Sequence, residues 1–104
     1  MIVSVAGINK VPEYTKAFWE LYGSNKSLEL MEVLFVPEPT NRYDPKAIKI
    51  LIDGKQVGYV QRSEQTTIDI QKPEMLTTIT LGRVVEFGAV RNNKDQFIYC
   101  TVEA

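Results

Sequence analysis

The pair Asp53-Gly54 stands between two apolar runs, KAIKILI over residues 46–52 and QVGYV over residues 56–60. Both central positions of a two-residue hairpin turn need positive φ, which Asp-Gly tolerates, so the two runs are expected to be antiparallel neighbours. Within the first run Ile48, Ile50 and Ile52 fall on one face and Lys49 on the other, as in a half-buried strand. At 104 residues such a sheet must close on itself or be covered to avoid exposed edges.

The remaining pattern is read around this hairpin. Residues 1–8 are β-branched and apolar and read as a first strand running into Gly7. Pro12 opens a helix over residues 12–22, with Tyr14, Ala17, Phe18, Leu21 and Tyr22 at spacings of three and four and Gly23 as its stop. Trp19 falls off that stripe and is expected to cover the rim of a barrel. Residues 28–36 (LELMEVLFV) read as a second strand ended by Pro37 and Pro39, and residues 38–45 (EPTNRYDP) as a surface loop. Ser63 is expected to cap a short helix over residues 63–71 that Pro73 stops. Residues 75–87 and 96–102 close the chain as two strands around an Arg91-Asn92-Asn93-Lys94 turn. With about six strands, two short helices and no repeated α-crossover, the expectation is a mainly β, OB-like six-stranded barrel forming one domain over residues 1–104.

Composition removes several function classes. Histidine is absent and Cys100 is the only cysteine, which excludes His-based general-base catalysis, Cys/His dyads, zinc knuckles and intrachain disulfides. No cofactor or structural metal is expected, and no phosphate-binding P-loop motif occurs. No apolar run approaches a bilayer span, and residues 1–6 lack the basic start of a signal peptide, so a cytoplasmic setting without membrane contact is expected. Asp44 with Asp53 and Lys55 superficially matches the letters of a metal-dependent nuclease, but the hairpin already explains Asp53 and Gly54.

Twelve basic residues against thirteen acidic give a net charge of -1, which favours neither nucleic acid nor an anionic membrane overall. Between residues 41 and 62, however, Arg42, Lys46, Lys49, Lys55 and Arg62 face only Asp44 and Asp53, a local balance of +3. Tyr43, Tyr59 and Asn41 are interleaved with these charges. Aromatic faces accept unpaired bases and cations neutralise phosphates, the composition a single-strand site needs. The same letters also suit a structural role, in which both tyrosines pack the barrel mouth, Asn41 and Asp44 cap the turn, and the lysines are solvated.

Residues 36–64 combine Glu38-Pro39, Asn41-Arg42-Tyr43-Asp44-Pro45, the alternating aliphatics of residues 47–52, and Val57-Gly58-Tyr59-Val60 with Arg62. In that pattern the segment resembles the HIRAN domain. Val5-Ala6-Gly7 is similar to the family's first strand. The resemblance implies an OB-like barrel of the kind carried by fork-remodelling helicases and by free-standing bacterial proteins, one that captures the 3′ end of single-stranded DNA. By that similarity Asp44 would receive the terminal 3′-hydroxyl, Tyr43 and Tyr59 would contact or stack on the last bases, Asn41 would hold the turn or touch the strand, and Arg62 would contact phosphate. At the end of the first strand, where helicase-borne domains carry a basic and aromatic set, this chain offers Lys10 and no ring; Trp19 and Phe87 are the rings left to compensate.

The resulting expectation is a non-catalytic module that binds single-stranded DNA at a free 3′-hydroxyl end, with a helicase or repair protein as a partner in trans and no small-molecule substrate. Two alternatives remain: a protein-protein module using the same barrel mouth, and a nuclease, which would need Asp44 and Asp53 to converge. A basic groove joining Lys10, Lys49 and Arg62 would favour DNA, and an apolar patch rimmed by acids would favour protein.

Overall fold

The computed structural model describes residues 1–91 and 95–104, so most of the expected turn at residues 91–94 lies outside the described residues. In chain order the elements are β1 (Ile2–Ala6), α1 (Pro12–Tyr22), β2 (Val33–Pro37), β3 (Ile48–Ile52), β4 (Lys55–Val60), α2 (Gln65–Gln71), β5 (Thr80–Arg91) and β6 (Gln96–Glu103). Short 3-10 turns occupy Leu28–Leu30, Arg62–Glu64 and Pro73–Leu76. The strands close into a barrel in the order β1-β4-β3-β2-β5-β6, every pair antiparallel. This is the mainly β six-stranded barrel with two short helices that the sequence predicts.

Closure depends on β1 changing partners along its length. Ile2, Val3 and Ser4 pair with β6, whereas Val5 and Ala6 pair with Val60 and Tyr59 of β4. Inside, Val33, Phe35, Ile48, Ile50, Ile52 and Val57 are fully buried, so the alternation seen in the isoleucines is the inward face of the barrel. Helix α1 adds Ala17, Phe18 and Leu21 to this core. The Phe18 ring meets Phe87 of β5 edge-on at 5.4 Å, and Trp19 lies edge-on to Phe18 at 5.1 Å. Trp19 and Phe87 are therefore both spent on the α1 aromatic cluster. No helix among the described residues is long and apolar enough to cross a membrane.

The hairpin turn is as expected: Asp53 has φ 49° and Gly54 φ 80°. β1 is shorter than the expected 1–8 and β5 runs on past residue 87 to Arg91, and three further differences have a local cause. Residues 28–30 form a 3-10 turn because the chain buries Met31 and partly buries Leu28, a spacing of three, while Leu30 stays 68% exposed; alternation would have buried Leu28 and Leu30 together. Ser63 makes no cap. The 3-10 turn runs directly into α2, and Glu64 N–H bonds to Gln61 O, so no extended capping residue is needed. Pro73 does end α2, but it opens another turn that buries Met75, and β5 begins only at Thr80.

Strand β4 contains the irregularity that matters most. Ile50 opposes Gly58 while Leu51 opposes Gln56, which leaves Val57 as an extra residue, a β-bulge. In a regular strand Val57 and Tyr59 would share a face. The bulge turns both Val57 and Gly58 inward and so sends Tyr59 outward, to the face of Lys49. Gly58 adopts φ 153°, and a Cβ there would lie 2.2 Å from the Ala6 carbonyl oxygen. Only glycine lets β1 and β4 approach this closely.

Candidate nucleic-acid interface

The loop between β2 and β3 is shaped by its own polar side chains. Glu38 N–H donates to Ala47 O at 2.8 Å and closes the loop, and Asn41 N–H donates to Glu38 O at 3.0 Å across a turn with Pro39 near its start. Asn41 Oδ1 accepts from the N–H groups of Tyr43 (2.9 Å) and Asp44 (3.0 Å), and Asp44 Oδ1 accepts from Lys46 N–H at 3.0 Å. These are two successive Asx-type turns, the local bonding for which Asn and Asp are favoured in loops. The tip is thereby ordered with the Tyr43 side chain 87% exposed.

Asp44 is held from the other side as well. Its Oδ2 accepts from the Gln65 side-chain amide of α2 at 2.6 Å and lies 3.7 Å from Arg62 Nε. Arg62 also reaches the Tyr43 carbonyl oxygen at 3.4 Å and remains largely exposed. Tyr59 leans edge-on against Tyr14 of α1 at 6.4 Å and donates its hydroxyl to Glu38 Oε1 at 2.9 Å. Partial burial, with the Glu38 carboxylate beside it, pushes the Tyr59 phenol up to about 12. Glu38 itself is raised by partial burial, but hydrogen bonds from Asn41, Tyr59 and Lys49 outweigh that and leave it below the ordinary carboxyl value.

These groups surround one open cleft of about 290 Å³. Its wall carries Asn41, Tyr43, Asp44, Tyr59 and Arg62, and Ala47 and Val60 supply apolar surface between them. Five of the six residues singled out from the sequence thus meet in one place. Lys10 does not join them; it lines a second cleft of about 470 Å³ between the end of β1 and β6, with Asn9, Phe97 and Tyr99. The two clefts share no lining residue, although Gln61 of the second follows Val60 of the first in the chain. Glu38 and Gln65 are the residues sequence reading passed over as site residues. Glu38 was legible only as part of a motif, and Gln65 offered no local signal.

The charge pattern changes on folding. Four of the five cations in residues 41–62 lie beside a carboxylate: Lys46 by Asp69 (3.8 Å), Lys49 by Glu38 (3.3 Å), Lys55 by Glu20 (2.8 Å) and Arg62 by Asp44 (3.7 Å). The continuous basic groove through Lys10, Lys49 and Arg62 is therefore not formed. Asp53 stands at the far end of β3 from Asp44, accepting from Glu32 N–H at 2.9 Å and from Lys26 at 3.0 Å. The two aspartates do not converge, and no group of three or more His, Cys, Asp or Glu placed to hold a metal ion occurs among the described residues.

The family model for the HIRAN domain matches residues 13–68, more than half of the chain. The chain belongs to the HIRAN family. The matched span runs from α1 through β2, β3 and β4 into α2 and so contains the loop, both tyrosines, Asp44 and Arg62. The strands outside it, β1, β5 and β6, close the barrel. HIRAN domains are a family associated with DNA binding. No characterised protein and no solved structure matches the chain.

Proposed function

We propose that this HIRAN protein binds single-stranded DNA at a free 3′-hydroxyl end and is not catalytic by itself. The observation that carries the reading is the single cleft in which an anchored carboxylate, Asp44, an exposed ring, Tyr43, and a half-buried ring, Tyr59, are gathered beside Arg62. A carboxylate among phosphates repels a polynucleotide unless the position holds a hydroxyl and no phosphate follows it. Asp44 has about four acceptor sites, of which Lys46 N–H and Gln65 occupy two, and this leaves capacity for a terminal hydroxyl proton. Stacking on Tyr43 and Tyr59, at about 1–3 kcal/mol per base, would supply affinity with little regard to sequence.

Because Lys49 and Arg62 already lie beside carboxylates, end chemistry and stacking outweigh general attraction to phosphate in this reading. Binding is expected to be weak and to fall only gently with salt. Lys10 would take part only through a strand long enough to reach the second cleft. A helicase or repair protein acting in trans, in a cytoplasmic setting, completes the proposal, with residues 1–104 acting as one domain.

The test is fluorescence polarisation with end-labelled oligonucleotides carrying a 3′-hydroxyl, a 3′-phosphate, a blunt duplex end or RNA. The 3′-phosphate is expected to bind at least about tenfold more weakly than the hydroxyl, and Asp44→Ala to erase that difference. Equal affinity of the wild type for both ends overturns end capture. A protein contact is the second reading, favoured not at the barrel mouth but on apolar surface away from the cleft, where Ile79 just before β5 is 61% exposed and Leu81 of β5, opposite Leu34 of β2, is 72% exposed.

A further inference from the structure

The register of three strands places Val36, Lys49 and Tyr59 in one row on the outside of the barrel, since Val36 opposes Lys49 and Lys49 opposes Tyr59. Glu38, two residues beyond Val36, continues that face. One carboxylate then meets three groups. Its Oε1 accepts from Tyr59 OH at 2.9 Å and from Asn41 Nδ2 at 3.0 Å, and its Oε2 lies 3.3 Å from Lys49 Nζ. With its amide nitrogen tied to Glu38, Asn41 is left to present Oδ1 to the N–H groups of Tyr43 and Asp44.

We infer that Glu38, which lies behind the cleft wall, is the positioning residue of the cleft. It sets the Tyr59 ring directly and the Tyr43-Asp44 turn through Asn41, and it withholds the Lys49 charge from phosphate. The inference rests on the 3′-end reading for what the cleft receives, but the arrangement of Tyr59 can be tested without DNA.

Glu38 also accounts for a chemical asymmetry between the two tyrosines. Tyr43 keeps its hydroxyl in solvent, whereas the Tyr59 hydroxyl is committed as a donor to a carboxylate and has no proton to offer a phosphate. Tyr59 can therefore offer a ligand its ring and an accepting oxygen, but no hydroxyl proton. Lys49, the cation in register with Tyr59, is neutralised by the same group. A cleft organised in this way selects for base and sugar contacts over backbone contacts.

Two variants separate these roles. Glu38→Ala removes all three side-chain interactions, whereas Glu38→Gln keeps an oxygen for Tyr59 and Asn41 and cancels only the charge opposite Lys49. Glu38→Ala is expected to bring the 3′-hydroxyl to 3′-phosphate affinity ratio to within about twofold of unity, removing most of the tenfold preference expected of the wild type. Glu38→Gln is expected to retain the ratio but to steepen the dependence of log K on log salt by about 0.7, because the released Lys49 then pairs with one phosphate of the strand.

The second readout is the Tyr59 ¹³Cζ resonance. In the wild type it is expected to report a protonated phenol at about pH 11, a unit above the ordinary tyrosine value, and in both variants to titrate at a lower pH than in the wild type, because the Glu38 contribution is lost while that of burial remains. The inference is overturned if Glu38→Ala keeps both the end ratio and the wild-type Tyr59 titration. Should Glu38→Ala fail to fold, Glu38→Gln decides alone: an unchanged salt slope with an unchanged Tyr59 titration overturns it. A wild type with no end preference overturns the 3′-end reading, and the Tyr59 titration then still determines whether Glu38 holds the ring.

Discussion

The Gln65 side-chain amide donates to Asp44 Oδ2 at 2.6 Å and so ties helix α2 to a loop that ends before β3 begins. That bond holds the carboxylate from outside its own turn, while Lys46 N–H holds it from within. An acid fixed on both sides is preorganised to accept a donor in one geometry.

Gln65→Ala removes the outer support and leaves the Asn41 and Asp44 turns intact. The expected result is a loss of about 1 kcal/mol in end discrimination, roughly a fivefold drop in the hydroxyl to phosphate ratio, with little change in affinity for the phosphate-terminated strand. A polarisation titration of both strands checks it, and an unchanged ratio would show that the turn alone suffices to orient Asp44.

Tyr43 stands almost wholly in solvent and packs against nothing that folding needs. Tyr43→Ala is expected to weaken single-strand binding by about 1–3 kcal/mol and to change stability by no more than about 0.5 kcal/mol. Thermal melting beside a binding titration separates the two effects. A large fall in melting temperature would contradict this assignment.

Gly58 is confined by the Ala6 carbonyl oxygen and the Val5 side chain. Backbone cannot retreat as a flexible side chain can. Gly58→Ala is expected to destabilise the fold by about 2–4 kcal/mol through overpacking and strain, and to displace Tyr59 by disturbing the bulge. Chemical denaturation measures the first effect, and the Tyr59 resonance the second.

Acid should act in two directions. The folded value of Glu38 is lowered, so its contribution is present above the ordinary carboxyl value of 4.5 and is lost as pH falls through the lower folded value. Glu64 is the opposite case. Burial raises its value against a single bond from Ser4 N–H, and its Oε2 has no partner, so ionised Glu64 costs stability at neutral pH and the cost is relieved as pH falls through the raised value. Glu64→Gln is thus expected to raise the melting temperature at pH 7 with little effect well below the carboxyl range, whereas Glu38→Gln should lower it at pH 7 and flatten the loss on acidification. Melting curves across that range report both signs.

Much of the local structure was legible in the sequence. Asp53-Gly54, the isoleucine alternation, the α1 stripe and the turn-forming run around Asn41 each act over a few residues, through φ preferences, side-chain period or a side-chain bond to nearby backbone. Motif letters likewise pointed to Asn41, Tyr43, Asp44, Tyr59 and Arg62, which do share a cleft. The second strand is shorter than its apolar run because Leu28 and Met31, three apart, are the pair the core takes.

What only the tertiary structure decided was which distant groups come within bonding range. Barrel closure brings Glu38 to Tyr59, α2 brings Gln65 to Asp44, and the bulge at Val57 turns Tyr59 to the outside. The same closure matches the local excess of positive charge with Glu20, Glu38 and Asp69, and leaves Lys10 in a cleft of its own. Turns and strand faces follow from short-range sterics, which neighbouring residues carry with them. Pairing across the barrel follows from strand register and closure, which no short stretch of chain specifies.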